Sequence, residues 1–308
     1  MKTDDFALKA DDGVQIACVR WSPDDGAPKA IVQILHGMSE HCLRYARLAE
    51  RLTAAGYVVY AHDHRGHGRT AKDERNVGHY ADTDGWQRVI ADLRMVGEHA
   101  RSEHPELRMI VLAHSMGSFM AQHVLEHFPA DYDAYALSGS NALGGPLVTA
   151  GKQAAKLERL RQGPRGKSAL LEFLSFGSFN DAFKPARTAH DWLSRDPIEV
   201  DKYIADPRCG FRCTNQLWVD LLGALEALGH ADWKRVPKGT PVYLFAGDRD
   251  PVGNKGKGVE ELGRRLSRAG ISRLEVKLYP EARHETLNEI NRDDVMSDLI
   301  GWMGRALS

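Results

Sequence analysis

The stretch that decides the fold, Arg108–Gly117, reads R-M-I-V-L-A-H-S-M-G. Its first part is a short apolar run rich in β-branched and long aliphatic residues, which is typical of a buried strand. The run stops at His114-Ser115, and a helix-like pattern begins at once. A strand, a sharp turn and a helix in this order hold a serine at the strand tip, where its hydroxyl is exposed and the first helix amides point toward a bound group.

Two small residues flank this serine where the strand and helix backbones come closest. Ala113 lies two residues before Ser115, and Gly117 lies two residues after it. The usual form of the motif is G-x-S-x-G, so the first glycine is replaced here by alanine, a departure of one methyl group. Because serine and glycine are common, the pattern alone is weak evidence for a nucleophile, and its place between a strand and a helix strengthens it.

Composition and charge exclude several classes of protein. The chain has 308 residues, 43% hydrophobic and 27% charged, with a formal net charge of -1. This is typical of one large α/β domain with an insertion or of two smaller domains, and the balanced charge gives no reason to expect a nucleic-acid partner. No apolar run approaches the ~18 residues that cross a bilayer, and the acidic start does not resemble a secretory signal. We therefore expect a cytoplasmic protein without an integral membrane segment.

Short apolar strands alternate with amphipathic helices along most of the chain. This alternation predicts an α/β fold with a mostly parallel sheet, helices on both faces and ligands at the carboxyl ends of the strands. An N-terminal hairpin around Asp11-Asp12-Gly13 is predicted to form an antiparallel edge. The alternation breaks between residues 140 and 213, which we predict to be an inserted helical cap on a core made of residues 1–139 and 214–308.

Two later strand ends offer partners for the serine. The strand Val242–Ala246 runs into G-D-R-D-P, and the strand Leu274–Tyr279 runs into P-E-A-R-H-E. Both loops are expected at the same sheet edge as Ser115. A serine hydroxyl is a poor nucleophile until a base accepts its proton, and a third group must orient that base. The order Ser, Asp, His is the one expected for triads on this type of sheet, and Asp248 and Asp250 are both candidates for the acid.

Five motifs in a fixed order carry a resemblance to a known family. The chain resembles the α/β-hydrolases of the monoacylglycerol lipase and lysophospholipase group of serine esterases. The resemblance covers nearly the whole chain and is weakest in the cap. The motifs are His36–His41 (H-G-M-S-E-H), Asp63–Gly68 (D-H-R-G-H-G), Ala113–Gly117 (A-H-S-M-G), Gly247–Asp250 (G-D-R-D) and His284-Glu285.

The resemblance implies a role for each residue of a catalytic triad. Ser115 would be the nucleophile, His284 the general base and acid, and Asp250 the carboxylate that orients His284. Asp250 is favoured over Asp248 because the aspartate of the family stands third after the glycine, which is Gly247 here.

An oxyanion hole follows from the same arrangement. A tetrahedral intermediate needs two donors that are fixed in advance, and the expected pair is the backbone N–H of Met38 and that of Met116. No cofactor is expected. The implied substrate is a small-molecule acyl ester such as a monoacylglycerol or a lysophospholipid. Thioesterase, peptidase and acyltransferase activities share the acyl-serine and stay open, as does a non-catalytic ligand-binding protein on the same scaffold. The sequence specifies no oligomeric state.

The predicted cap carries many apolar side chains for a surface segment. Phe173, Phe176 and Phe179 are candidate substrate-binding residues within Leu170–Phe183. They either pack the cap onto the sheet edge or line an acyl-binding pocket. The basic segment Lys152–Lys167 is either a solvated face or a surface for weak contact with anionic lipid or a phosphate head group.

No metal site is expected from the spacing of cysteine and histidine. Cys209 and Cys213 could share one face of a helical turn, but no neighbouring pair of cysteines or histidines completes a zinc set. The resemblance implies a structural role for the loop that contains His62, His64 and His67. His41, next to the expected oxyanion loop, would contact a polar head group or serve as a hydrogen-bonded loop residue.

Overall fold

A computed structural model describes residues 1–142 and 144–308, and Leu143 of the predicted cap lies outside the described residues. Within these ranges, eight strands form one sheet with the order β1-β2-β4-β3-β5-β6-β7-β8. The strands are β1 (Lys2–Lys9), β2 (Gln15–Ser22), β3 (Ala30–Leu35), β4 (Tyr57–His62), β5 (Met109–His114), β6 (Ala134–Ser138), β7 (Val242–Gly247) and β8 (Leu274–Tyr279).

The sheet has one antiparallel edge and a parallel centre. β1 pairs with β2, and β2 with β4, in antiparallel register, whereas β3 to β8 pair in parallel. Every residue of β3 to β7 is buried, which fits their continuous apolar runs. The predicted α/β-hydrolase fold and its N-terminal hairpin are confirmed.

Helices connect the parallel strands. The described α-helices are α1 (Ala46–Ala54), α2 (Gly85–Glu103), α3 (Met116–His127), α4 (Pro146–Gln162), α5 (Ala169–Phe176), α6 (Pro197–Ala205), α7 (Asn215–Gly229), α8 (Lys257–Arg268) and α9 (Arg292–Ala306). A 3-10 turn at Cys42–Tyr45 comes directly before α1.

The structure also contains α6, a helix that the sequence reasoning did not predict. The Asp196 side chain caps it by accepting a hydrogen bond from the amide of Ile198 at 3.0 Å, and Pro197 occupies its first turn. An aspartate followed by proline is a known signal for a helix start, so the information was present in the sequence.

Two apolar layers cover the two faces of the sheet. Ile31 and Leu35 of β3 pack on one face with residues of α2, α3, α7 and α8. Val32 and Ile34 point to the other face, which α1 and α9 cover. Burying such a side chain stabilises the fold by about 1.5–3 kcal/mol, so these layers hold the strand ends in place.

The helical insertion runs from α4 to α7, between β6 and β7. α7 packs against α4 of the insertion and also against α2 and α3. Because α7 contacts both parts, the domain limits at residues 139/140 and 213/214 stay a prediction.

Candidate active site

Ser115 occupies the sharp turn between β5 and α3. Its backbone has φ 51° and ψ -119°, a conformation that is rare for residues other than glycine and that costs about 1–3 kcal/mol. The Ser115 amide donates to the carbonyl of Ser138 at 2.9 Å, which fixes the turn to β6. A Cβ atom at Gly117 would overlap the carbonyl oxygen of Leu35, so only glycine fits there. Ser115 is partly exposed between buried neighbours, as expected for a side chain presented at a strand tip.

Ala113, the departure from the usual motif, is fully buried. It lies in β5 between Leu35 of β3 and Leu137 of β6. The extra methyl group is therefore part of the packed sheet core.

His284 and Asp250 form a buried pair at the same sheet edge. His284 Nδ1 donates to Asp250 Oδ2 at 3.0 Å, and the two side chains are 3% and 0% exposed. The other carboxylate oxygen, Oδ1, accepts from the amide of Val252 at 2.8 Å. Asp248 instead accepts from the amide of Glu281 at 2.7 Å. The structure therefore brings Asp250, and not Asp248, to His284.

Burial and charge act in opposite directions on His284. Burial alone would lower its pKa, but the negative charge of Asp250 and their hydrogen bond raise the pKa above the ordinary value of 6.5. The ring also packs 4.6 Å from the ring of His114. Gly139, at the end of β6, supports the ring from another side, because a Cβ atom there would lie 3.0 Å from His284 Cε1.

The loop after β3 lies against Ser115. A Cβ atom at Gly37 would be 3.3 Å from the Cβ atom of Ser115, so this backbone passes very close to the serine. Glu40 Oε1 accepts from the amide of Gly37 at 2.6 Å and fixes the loop. The amide of Met116 opens α3 and has no acceptor within that helix. The two segments expected to supply the oxyanion donors are thus both next to Ser115.

An ion network that the sequence reasoning missed ties this loop to the histidine loop. Arg44 contacts Glu40 Oε2 at 2.7 Å and both oxygens of Glu285 at 2.7 and 2.8 Å. Burial would raise the pKa of Glu285, but Arg44 lowers it to about 2. The spacing of Glu40 and Arg44, four residues apart, is a signal for such a pair, whereas Glu285 lies far away in the sequence.

Three buried histidines, His36, His62 and His64, form a hydrogen-bonded cluster, and the ring of His67 packs against it. His62 Nε2 lies 3.0 Å from His64 Nδ1, and His64 Nε2 lies 3.1 Å from the carbonyl oxygen of His36. Burial lowers the pKa of His62 and of His67 to about 4. These rings are neutral at pH 7, and the cluster connects the end of β4 to the loop after β3.

Aromatic side chains of the insertion lie above His284. Trp192 is 5.2 Å from the His284 ring, centroid to centroid. Phe176 stacks on Trp192 at 6.0 Å, and Phe179 meets it edge-on at 4.9 Å. Phe173 is 69% exposed. Of the three phenylalanines singled out from the sequence, the structure brings two toward the site and leaves one at the surface.

The same part of the insertion is bound to the histidine loop through its backbone. The amide of Glu285 donates to the carbonyl of Leu193 at 2.8 Å, and that of His284 donates to the carbonyl of Trp192 at 3.4 Å. Arg195 pairs with Glu289 at 2.9 Å. Trp192 is therefore held at a fixed position over His284.

Comparison with known proteins agrees with the fold and identifies a family. Residues 26–291 match the family described as serine aminopeptidase S33. Monoacylglycerol lipase of Mycolicibacterium smegmatis is 31% identical, with 94% of this chain and 93% of that protein covered. Monoglyceride lipase of Rattus norvegicus is 26% identical, with 96% and 89% covered.

A solved structure extends this similarity to the full chain. A highly thermostable carboxyl esterase from Bacillus coagulans, in complex with glycerol, aligns with a TM-score of 0.91 at 26% identity, with 100% of both chains covered. The chain therefore belongs to the serine aminopeptidase S33 family of α/β-hydrolases and is a serine hydrolase of the monoacylglycerol lipase group.

Proposed function

We propose that this protein hydrolyses carboxylic esters with a medium or long acyl chain, such as monoacylglycerols or lysophospholipids, through an acyl-serine intermediate. The observation that carries the proposal is the buried hydrogen bond of 3.0 Å between His284 and Asp250 at the sheet edge that presents Ser115. The similarity to monoacylglycerol lipase of Mycolicibacterium smegmatis supports the substrate class.

In the first half-reaction, His284 Nε2 accepts the proton of the Ser115 hydroxyl while the serine oxygen attacks the ester carbonyl carbon. The carbonyl oxygen becomes an oxyanion that the amides of Met38 and Met116 stabilise. Asp250 keeps the proton on His284 Nδ1 and stabilises the imidazolium. The ester C–O bond then breaks, and the leaving alcohol takes the proton from Nε2.

In the second half-reaction, water enters where the alcohol left. His284 accepts a proton from this water as it attacks the acyl carbon, and the released serine oxygen takes that proton back. Every proton moves between water, substrate, Ser115 and His284, so the reaction invokes no cofactor.

The aromatic wall above His284 supports an apolar acyl group. Trp192, with Phe176 and Phe179 packed on it, presents ring surface next to the proposed base. Hydrophobic burial contributes about 0.8 kcal/mol for each methylene group, so such a wall favours longer chains.

The outer surface of the insertion supports access to lipid-borne substrate. In the described residues, no helix combines the length and the apolar character required to pass through a bilayer. α4 and α5 nevertheless expose large apolar side chains, and we propose weak contact of this surface with lipid. These side chains are Leu147, Leu157, Leu160, Leu170, Phe173 and Leu174.

The charges near the site favour esters over peptides with a free amino terminus. An aminopeptidase binds the substrate ammonium through an available carboxylate. Glu40 and Glu285 are the nearest acids in the network, but Arg44, Tyr45 and the amide of Gly37 already occupy their oxygens.

Replacement of the serine tests the chemistry. Ser115→Ala is expected to lower p-nitrophenyl ester turnover by at least about 10³-fold, because the variant lacks the nucleophile. It should also lose covalent labelling by a fluorophosphonate. Ser102→Ala, at an exposed position of α2, is the matched control and should retain both properties. Unchanged turnover in Ser115→Ala would overturn the proposal.

A substrate panel tests the class. We expect monoacylglycerol and lysophosphatidylcholine turnover to exceed that of aminoacyl amides and acyl thioesters, and kcat/KM to rise with acyl length. Phe176→Ala should reduce this dependence on length, whereas Phe173→Ala, on the exposed side of the same helix, should leave it unchanged. A preference for amides would contradict the ester assignment.

A further inference from the structure

Three side chains with metal-ligand chemistry meet at the base of the insertion. His41, Asp206 and Cys209 each offer one ligand atom, and these atoms lie within 4.8 Å of one another. His41 Nε2 is 2.8 Å from Asp206 Oδ2. Tetrahedral zinc with bonds of ~2.0–2.3 Å places its ligand atoms roughly 3.3–3.5 Å apart. Shifts of about 1 Å would therefore place the three ligand atoms at three corners of a tetrahedron.

Backbone hydrogen bonds hold two of these residues in one turn. The amide of Cys209 donates to the carbonyl of Asp206 at 2.9 Å, which closes the turn between them. The next amide, that of Gly210, donates to the carbonyl of Ser39 at 2.9 Å. The hydroxyl of Tyr203 donates to the same carbonyl at 3.1 Å. These bonds fix the turn beside the segment that carries His41 and so keep the three residues close together.

The imidazole of His41 can change tautomer without losing a hydrogen bond at its second nitrogen. The side chain is 2% exposed, and its Nδ1 atom has no hydrogen-bond partner among residues 1–142 and 144–308. Metal binding at Nε2 requires that the ring proton move to Nδ1. No hydrogen bond at Nδ1 is broken by this move, and the hydrogen bond between Nε2 and Asp206 is exchanged for the bonds of both groups to the cation.

Carboxylate oxygens lie at and beside the cluster. Among the described residues, the Oδ2 atom of Asp206 has a hydrogen-bond contact only with His41. Arg208 contacts the other oxygen, Oδ1, through its amide at 2.9 Å and its Nε atom at 3.4 Å, which leaves Oδ2 available. The nearby Arg44 is shared by Glu40 and Glu285, which leaves that network with one net negative charge.

We propose that His41, Asp206 and Cys209 bind one thiophilic divalent cation, with Zn²⁺ as the reference ion and water as the fourth ligand. The ligand types, one imidazole, one carboxylate and one thiolate, are those of zinc sites. On binding, the Cys209 S–H bond breaks, its proton passes to solvent and the sulfur coordinates the cation. Spacing along the sequence gave no metal site because His41 and Asp206 lie 165 positions apart.

Cobalt titration of the full chain, stripped of metal, tests the site. Co²⁺ is expected to bind in a 1:1 ratio and to give a thiolate-to-cobalt charge-transfer band, which Zn²⁺ then removes by displacement. Cys209→Ser should abolish the band, and His41→Gln and Asp206→Asn should weaken Zn²⁺ binding at least about tenfold in calorimetry. Circular dichroism verifies that each variant is folded.

Cys213→Ser is the control, since Cys213 is another free cysteine and lies four positions after Cys209. It should retain the band and the Zn²⁺ affinity. Survival of the band in Cys209→Ser, or its equal loss in Cys213→Ser, would overturn the assignment. So would binding without a thiolate band, which would point to imidazole sites such as the stacked pair His123 and His127 on α3.

Discussion

Acidification should unfold this protein through its buried histidines. Burial lowers the pKa of His62, His67 and His114 to about 4, against an ordinary value of 6.5. Between these two values the unfolded chain binds protons that the folded chain does not, so the free energy of unfolding falls as the pH falls below 6.5. At pH 5, each of these groups lowers the free energy of unfolding by about 2 kcal/mol, roughly 6 kcal/mol in all.

Such a loss is comparable to the whole stability of a typical domain, about 5–15 kcal/mol. Burial explains why the three rings resist protonation, because the charged imidazolium loses its hydration in the core. His284 acts in the other direction, because its raised pKa gives stability that is complete below pH 6.5 and is lost as the pH rises through the higher value.

Urea unfolding at pH 7.5, 6.5, 5.5 and 5.0 measures this effect. Each buried histidine contributes a slope of up to about 1.4 kcal/mol per pH unit. His67→Asn keeps a donor for the carbonyl of Arg65, which His67 Nδ1 contacts at 2.9 Å, and should remove one such increment from the slope. His230→Asn, at an exposed position, should leave the slope unchanged. A stability that does not vary between pH 7.5 and 5 would refute the reasoning.

Three further predictions concern catalysis. Asp250→Asn should lower kcat by about 10³–10⁴-fold, because it loses the charge that supports His284. Asp248→Asn should retain most of the activity, and equal losses in the two variants would contradict the assigned pair. The acid limb of the profile of kcat/KM against pH should have its midpoint above pH 6.5, since only neutral His284 accepts a proton and its pKa is raised. A midpoint well below pH 6.5 would argue against His284 as the base. Ala113→Gly should fold and keep ester turnover within about tenfold, and complete loss would show that the turn depends on the methyl group.

Local pattern predicted the strands well and the site partly. β8 has the predicted limits, and β7 extends one residue beyond its predicted end, because each is a short run bounded by clear turn signals. The strand ends then placed Ser115, Asp250 and His284 at one edge, since parallel strands end together. Periodicity could not assign Phe173, which lies with other exposed side chains of α5, because the same apolar pattern fits either face of a short helix.

The local sequence pattern did not predict the contacts between segments that are distant in the sequence. Arg44 and Glu285 are 241 positions apart, and neither residue type indicates the other at that distance. The sequence did not indicate the position of Trp192 over His284 either, because that position depends on backbone hydrogen bonds between the insertion and the histidine loop. Such pairings are decided by the packed tertiary structure, after the strands and helices have formed.

These distant contacts couple the proposed oxyanion loop to both of its neighbours. Glu40 holds the amide of Gly37 and, through Arg44, is joined to the residue that follows His284. The carbonyl of Ser39, one position earlier, accepts hydrogen bonds from Tyr203 and Gly210 of the insertion. The proposed oxyanion loop, the loop that carries the general base, and the lower end of the insertion are therefore all connected through one short segment. A cation bound beside this segment would act on the position of the oxyanion donors, which gives the proposed metal site a direct route to ester turnover.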